Sequence, residues 1–336
     1  MTMEKFKLSW ENLFGHATNV EHLKKNIAEQ KFPHAVIFSG VEGIGKRLTA
    51  EICAAALLCD NQHDGEPCGV CENCRLTAAR THPDFYVVEP ESTKTARNIK
   101  IGQIREMQTE ASLRPINSAR RVVIIDGAEL MNNAAANCLL KTIEEPPSQT
   151  IFILLTASRS NLLMTIRSRC ITINFDKLSA EQIQRALINQ GVDESEAARL
   201  SVIADGSFGR ALKLKDSGGS QLREEALDTI EKIYRAELTN EDIFTYGAKV
   251  ADWSRDNFAD FLTHVQKILR DICFAEVLEP YNSDLTSRLV NIKIPERKIF
   301  AMITIGAQFN RRLKSNANLR LLAEAYLFQL RKLFRD

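Results

Sequence analysis

The first half of the chain alternates short apolar runs with amphipathic stretches. The apolar runs are continuous, which is typical of strands buried on both faces of a parallel sheet. They predict strands at Ala35–Ser39, Phe85–Val88, Val122–Ile125, Ile151–Thr156 and Cys170–Ile173. The stretches between them predict helices, among them Val20–Gln30, Arg47–Leu58, Ile101–Ser112 and Asn133–Glu144. This order predicts a parallel α/β sheet that binds ligands at the carboxyl ends of its strands.

The pattern becomes helical after Asp176. Ser179 is a predicted N-cap, and the helix that follows it runs to Gln190. Further helices are predicted over Glu194–Asp205 and from Arg210 onward. We interpret this part as a small helical module that follows the sheet.

A break at Asp216–Ser220 is the best linker candidate in the chain. Beyond it, apolar residues recur at helical spacing, which is typical of helices that face a core or another subunit. The last such stripe comprises Leu319, Leu322, Tyr326, Leu330 and Leu333. We therefore predict an α/β domain over residues 1–177, a helical lid over 178–217 and an all-α domain over 218–336.

The composition of the 336 residues shows no strong charge bias. The net charge is +1, so any contact with nucleic acid must be local or shared with partners. The start of the chain lacks the pattern of a signal peptide, and no apolar run approaches the roughly 20 residues that span a bilayer. These features predict a cytoplasmic protein without membrane contact, in which cysteines stay reduced.

Four of the eight cysteines are spaced for a metal ion. The spacing Cys-x8-Cys-x2-Cys-x2-Cys supplies four thiolates that can close a tetrahedral shell around Zn²⁺, with no open position for catalysis. The four are Cys59, Cys68, Cys71 and Cys74. We predict a structural zinc module over residues 59–74. His63 and Cys53 are alternative ligands, and free surface thiols are the alternative to a metal site.

The segment Gly40–Arg47 has the pattern of a phosphate-binding loop between a strand and a helix. Its three glycines let backbone N–H groups wrap a phosphate, and Lys46 would reach the terminal phosphates of ATP or ADP. These glycines are Gly40, Gly43 and Gly45. Arg47 replaces the Ser or Thr that holds Mg²⁺ in such loops, so Mg²⁺ binding is poorly supported. A glycine-rich turn that binds nothing is the alternative.

A second nucleotide-handling element is the apolar strand that ends at Asp126. In ATPases the aspartate of such a strand helps to hold Mg²⁺, and a glutamate directly after it polarises water. Gly127 replaces that glutamate, and Glu129 would point elsewhere if the chain turns helical there. Together with Arg47, these residues predict a degenerate nucleotide site that does not turn over ATP.

Arg169 lies directly before the last predicted strand, in the segment Ile166–Cys170. An arginine at the edge of such a domain can reach the nucleotide of a neighbouring subunit and stabilise the transferred phosphoryl group, as an arginine finger in trans. The alternative, favoured on spacing alone, is a surface arginine paired with a nearby acid.

Five marks together resemble the clamp-loader subunits of bacterial DNA polymerase III, which are AAA+ proteins. In chain order these marks are Phe32–Ala35, the four cysteines, Thr81–Asp84, Ala135–Pro147 and Ser168–Cys170. The long stretch Asn-x-Leu-Leu-Lys-Thr-x-Glu-Glu-Pro-Pro is the most specific of them. The resemblance covers the first half of the chain and extends more weakly to the carboxyl end. It implies an AAA+ module with a zinc insert, then a helical lid and an all-α collar domain.

Departures from the motor type of this family favour its stator type. The gamma/tau motor should carry Ser or Thr at position 47, Glu at position 127 and an arginine in a lid motif Gly-Ser-x-Arg. This chain has Arg47, Gly127 and Gly206–Gly209 instead. Because Arg169 is kept, the combination resembles the delta-prime stator, in which that arginine acts in trans on a neighbour's ATP. Lys46 is retained, so a gamma/tau-like ATPase motor is the alternative.

The resemblance also implies partners and a process. The chain would join delta and gamma/tau subunits through its collar domain, and the complex would open the sliding clamp and place it on primed DNA during DNA replication. Contacts with DNA are expected from Ile101–Arg114. The chain itself would be an accessory subunit of the polymerase holoenzyme without ATPase activity of its own.

Overall fold

The computed structural model describes residues 7–92, 97–147, 149–216, 219–274, 280–282, 285–313 and 317–335. Contacts divide the chain into two compact units, the first extending to Ala211 and the second beginning at Leu212. Ser217 and Gly218 of the predicted linker lie outside the described residues. The division into a sheet domain, a lid and a collar stays a prediction, because this partition does not set the lid apart.

Seven strands lie in the described part of the first unit. They are β1 (Ala35–Ser39), β2 (Phe85–Val88), β3 (Glu91–Ser92), β4 (Arg97–Asn98), β5 (Arg121–Asp126), β6 (Thr150–Thr156) and β7 (Ile171–Asn174). Five of them form one parallel sheet in the order β2-β5-β6-β1-β7, and β3 and β4 form a separate antiparallel ribbon. The register sets Ala35 opposite Phe152 and Val122 opposite Ile151.

Nine helices begin in the described part of this unit. They are α1 (Ala17–Ala28), α2 (Lys46–Leu58), α3 (Glu72–Ala78), α4 (Ile101–Ser112), α5 (Asn133–Glu144), α6 (Met164–Arg167), α7 (Ala180–Asn189), α8 (Glu194–Ile203) and α9 (Phe208–Asp216). The helix α7 begins with the predicted cap, since Ser179 Oγ accepts the Gln182 N–H at 3.2 Å and the Gln182 side chain bonds back to the Ser179 N–H at 2.9 Å.

The sheet is the core of the first unit. Strand residues such as Val123 and Phe152 are fully buried, and α4 and α5 cover one face with Met107 and Leu139. Burial of whole strands explains why their sequences are continuously apolar. The prediction of a parallel α/β sheet is confirmed, with each predicted strand within one residue of its observed bounds.

The second unit is helical throughout its described part. Its helices are α10 (Gly219–Tyr234), α11 (Asn240–Ala251), α12 (Arg255–Cys273), α13 (Thr286–Leu289), α14 (Glu296–Arg312) and α15 (Leu319–Arg335). The predicted stripe on α15 faces the core of this unit, where Tyr326 packs against Phe258 and Phe309. Within the described residues, no helix is long and apolar enough to cross a membrane.

Candidate functional site

The predicted phosphate loop connects β1 to α2. Gly43 and Gly45 have φ angles of 75° and 110°, a left-handed conformation that favours glycine. The buried Lys46 ammonium donates to the carbonyls of Gly40 at 2.7 Å and Val41 at 2.8 Å, so the lysine binds its own loop. The loop therefore has glycine-dependent backbone geometry, and its lysine already has hydrogen-bond acceptors.

Burial lowers the pKa of Lys46 below its ordinary value. The negative charges of Glu129, Asp126 and Glu42 oppose this shift. An ammonium among three carboxylates offers less net positive charge to an incoming phosphate than a lysine alone would.

Arg47 lies within a cage of three carboxylates. Its Nε donates to Glu51 on α2 at 2.7 Å, its Nη1 donates to Asp126 at the end of β5 at 2.8 Å, and its Nη2 lies 2.8 Å from Glu89, which follows β2. Burial alone would lower the pKa of Arg47, but the hydrogen bond to Glu51 and the charges of the three acids raise it. The guanidinium thus binds the aspartate that was predicted to hold Mg²⁺.

The charge of Glu129 acts on Lys46, although the sequence-based expectation was that Glu129 would point elsewhere. It lies in a short 3-10 helix, Ala128–Leu130, that begins directly after Gly127. One carboxylate oxygen accepts the Ala157 N–H at 2.8 Å, and the other is buried without a hydrogen-bond partner among the described residues. The compact 3-10 turn keeps its charge close enough to act on Lys46.

The start of α9 packs directly on the phosphate loop. Ser207 Oγ donates to the Glu42 carbonyl at 2.7 Å, and the Gly209 N–H donates to the Gly43 carbonyl at 2.7 Å. A Cβ on Gly43 would lie 2.6 Å from Ser207 Oγ, and one on Gly209 would lie 2.8 Å from the Gly43 Cα. Sequence reasoning noted Gly206–Gly209 only as a departure from the lid motif Gly-Ser-x-Arg, and it missed this contact.

The four predicted zinc ligands converge. All four Sγ atoms lie within 4.8 Å of one another, with 3.8 Å between Cys59 and Cys71 and 3.9 Å between Cys68 and Cys74. A tetrahedral shell with Zn–S bonds of about 2.3 Å places its sulfurs about 3.8 Å apart, so the geometry fits Zn²⁺.

Local backbone geometry favours a thiolate at Cys68, whereas burial raises the pKa of Cys59 and of Cys74. Burial opposes ionisation of Cys68, but N–H groups of Val70 and Cys71 and the neighbouring thiols lower its pKa to about 6. The alternative ligands do not take part, since Cys53 is fully buried in α2 and the His63 side chain is 91% exposed beside Asp64. Among the described residues, the cluster of four cysteines is therefore a site that could hold zinc.

Arg169 lies at the surface between α6 and β7. Its Nη2 is 2.6 Å from Oε1 of Glu144, the last residue of α5, and its Nη1 donates to the Thr165 carbonyl at 3.0 Å and to Ser168 Oγ at 3.3 Å. Its side chain is 38% exposed. Arg169 is thus paired with a nearby acid, which is what the alternative to an arginine finger predicts. Part of its side chain still faces solvent.

Comparison with known proteins gives a consistent result. A family profile described as "DNA polymerase III, delta subunit" matches residues 15–179. A Pseudomonas aeruginosa protein, "DNA polymerase III subunit delta'", is 31% identical over 311 residues, which cover 88% of this chain and 91% of that protein. The chain belongs to the family of DNA polymerase III clamp-loader subunits.

Other members of this clamp-loader family match over different lengths. The Bacillus subtilis "DNA polymerase III subunit delta'" is 35% identical over 58% of each chain. The B. subtilis "DNA polymerase III subunit tau" is 28% identical over 96% of this chain and 61% of its own length. A Thermotoga maritima gamma-subunit-related protein of known structure is 19% identical, with a TM-score of 0.46 over 93% of this chain and 98% of that chain. The predicted family resemblance is confirmed.

A polar chain that the sequence did not reveal runs from the four-cysteine segment to the sheet, and all of its members except the exposed Asp60 are buried. Asn73 donates to Asp60 at 2.9 Å, and its carbonyl oxygen lies 3.0 Å from His82 Nε2. His82 Nδ1 accepts the Asp84 N–H at 2.9 Å, so the proton of a neutral ring resides on Nε2. Asp84 in turn pairs with Arg121 at 3.2 Å.

Asp84 is the most connected residue of this chain of contacts. Its carboxylate accepts the N–H groups of Ile116, Asn117 and Ser118 at 2.8 to 3.0 Å and is fully buried, as Arg121 nearly is. Burial raises the pKa of Asp84, but these donors and Arg121 lower it below its ordinary value. The segment Thr81–Asp84 is one of the five marks of the family resemblance, and its Asp84 holds the loop after α4 through these three hydrogen bonds.

Proposed function

We propose that this chain is the delta-prime stator of a bacterial DNA polymerase III clamp loader in the cytoplasm. It assembles with gamma/tau and delta subunits, helps to load the sliding clamp on primed DNA, and does not hydrolyse ATP itself. It supplies Arg169 to the nucleotide site of a neighbouring gamma/tau motor. The four cysteines hold a structural zinc ion, which supplies a rigid tetrahedral cross-link and no catalytic position.

The observation that carries this proposal is the carboxylate cage of Arg47. A motor needs Asp126 for Mg²⁺, whereas here that carboxylate is 2.8 Å from a permanent guanidinium. A metal ion would have to displace Arg47 from Asp126 before it could bind there. The absence of a hydroxyl at position 47 and of a glutamate at position 127 also disfavours Mg²⁺ binding and ATP hydrolysis.

The surface around Arg169 supports contact with a neighbouring subunit. Arg169 precedes β7, which is an edge strand of the sheet. Ile171 on this strand and Met164 on α6 are 57% and 76% exposed. Apolar side chains beside an arginine are typical of the centre of a protein interface, where aromatic residues, methionine and arginine are enriched.

Phosphate release by the reconstituted complex tests the proposal. The wild-type chain and its Arg169→Ala variant would each be assembled with gamma/tau, delta, clamp and primed DNA. We expect a loss on the order of 10³-fold in the hydrolysis step served by the finger. Arg185→Ala, which removes another exposed arginine, is the matched control and should leave the rate unchanged. An unchanged rate with Arg169→Ala would contradict the finger.

A gamma/tau-like motor is the second candidate. The retained Lys46, the left-handed glycines of the loop and the alignment with tau over 96% of this chain favour it. It requires Lys46 for turnover at this subunit, so Lys46→Ala would lower ATP hydrolysis by the complex. Equal rates with Lys46→Ala and wild type would exclude the motor while leaving the stator proposal intact.

A further inference from the structure

We propose that Glu144 is a positioning residue for Arg169, holding the guanidinium of the finger in the orientation that the neighbour's phosphates require. This inference rests on the proposed trans-acting role of Arg169. It assigns a specific partner to that role, through the 2.6 Å contact between Glu144 Oε1 and Arg169 Nη2.

The hydrogen-bond inventory of Arg169 leaves room for a ligand. A guanidinium has five N–H donors. Its contacts with Glu144, Thr165 and Ser168 use at most one donor each, and no other partner of Arg169 occurs among the described residues. Two donors remain, which is the number that a bidentate contact with a phosphate needs. Glu144 therefore steadies the side chain without using up its capacity to bind phosphate.

The location of Glu144 argues for a role of its carboxylate. It ends α5, where carbonyl groups already give the helix a partial negative charge, so a carboxylate there is locally unfavourable. The preceding residue, Ile143, is buried in the sheet core, which fixes this end of the helix. Pro146 and Pro147 prevent the helix from continuing. A carboxylate at a helix end that disfavours negative charge, on a rigid element, is typical of a functional residue.

The contact also has an energetic rationale. A free arginine side chain samples many rotamers, and ordering it during phosphoryl transfer lowers the rate. The anchors at Glu144 and Thr165 impose that order in advance, on both sides of the guanidinium. Because Thr165 accepts through its backbone, it keeps its contact when Glu144 is changed. We therefore expect Glu144→Ala to lower the rate by about tenfold, well below the loss on the order of 10³ for removing the finger itself.

The test compares ATP hydrolysis by complete clamp loaders containing Glu144→Ala, Glu144→Gln or the matched control Glu145→Ala. Glu145 has no ion pair among the described residues, so its removal should leave the rate unchanged. Glu144→Ala should lower kcat about tenfold with little change in KM for ATP, since the finger acts in the transition state. Glu144→Gln keeps a carbonyl acceptor and should recover most of the rate. Loss of rate through poor assembly would appear in gel filtration and would not be rescued in this selective way.

The double variant Glu144→Ala with Arg169→Ala separates this inference from the proposed function. If Glu144 acts through Arg169, the double variant matches Arg169→Ala alone. An additional tenfold loss in the double variant, or an unchanged or higher rate with Glu144→Ala, overturns the positioning role while the finger stands. If Arg169→Ala itself has no effect, the proposed function and this inference fall together.

Discussion

Replacement of Arg47 by alanine is the sharpest test of the carboxylate cage. The Arg47 guanidinium makes two close hydrogen bonds, to Glu51 and Asp126. Each is a charged contact that contributes about 1.5–3 kcal/mol when it is buried. Solvent screening reduces the second, because Asp126 is 38% exposed, and the contact with the 56% exposed Glu89 contributes about 0–1 kcal/mol. We expect Arg47→Ala to lower the free energy of unfolding of the first unit by about 3 kcal/mol.

Urea unfolding followed by tryptophan fluorescence measures this change. The chain has two tryptophans, and Trp10 is buried in the first unit, where its indole N–H donates to the Gly65 carbonyl at 3.0 Å. A Trp253→Phe background leaves Trp10 as the reporter, so the first unit is observed separately from the helical unit. Arg185→Ala serves as control, and we expect a change within about 0.5 kcal/mol for this exposed site.

Magnesium supplies the second arm of the experiment. In Arg47→Thr the Asp126 carboxylate loses its cation and the hydroxyl of a motor returns, while Glu51 keeps its ion pair with Arg80 at 2.7 Å. Millimolar Mg²⁺ should therefore bind at Asp126 and raise the free energy of unfolding, with a logarithmic dependence on its concentration. The wild-type chain should not respond, because Arg47 already neutralises Asp126. A loss below about 1 kcal/mol in Arg47→Ala, together with no magnesium response in Arg47→Thr, would refute the idea that the guanidinium replaces the metal.

Three further predictions concern Asp84, Gly43 and the four-cysteine cluster. Asp84→Asn should lower the free energy of unfolding by about 3–5 kcal/mol, because it leaves Arg121 buried without its charge partner. The stabilisation from Asp84 is present above its ordinary pKa of 3.8 and is lost as pH falls through the lowered value, so acid unfolding curves of wild type and variant should converge there. Gly43→Ala should cost about 1–3 kcal/mol in urea unfolding, since its φ is positive and its Cβ would meet Ser207, whereas Gly102→Ala on α4 has open space and should not destabilise. Cys71→Ser should abolish a zinc content of about one ion per chain, measured by elemental analysis, and retention of full zinc would contradict the four-cysteine site.

The secondary structure was predictable where a strong local signal coincided with burial. The predicted bounds of α4 and α5 are confirmed to the residue, since Asn132 caps α5 and Pro146 follows its end. The ribbon of β3 and β4 and the short helices α3 and α6 were missed, because two to seven residues are too few to show a hydrophobic period. The start of α9 at Phe208 rather than Arg210 reflects the serine that precedes it, whose hydroxyl accepts the Arg210 N–H.

The candidate site was predictable only as far as each motif is contiguous in sequence. The four cysteines lie within sixteen positions, and their spacing alone indicated the cluster that the structure contains. The contact between Arg47 and Asp126 is different, because these two residues are 79 positions apart in the sequence. Such pairs depend on which strand ends meet at one edge of the sheet, and that arrangement exists only in the fold. For the same reason Asp84 was noted as part of a motif, while its pairing with Arg121 was not anticipated.

Arg47 and Arg169 differ in the number of carboxylates around each guanidinium. Arg47 contacts three acids, so its positive charge is balanced within the chain. Arg169 contacts one acid, and it keeps two donors for a ligand, as the proposed trans-acting role requires. If the stator proposal is correct, a fixed internal cation also explains how this subunit keeps one geometry while its neighbours bind and release Mg²⁺ with each nucleotide. The Arg47 carboxylate cage then keeps its geometry without a bound nucleotide or metal ion. The surface that carries Arg169 therefore keeps the same structure for contact with the neighbouring subunit.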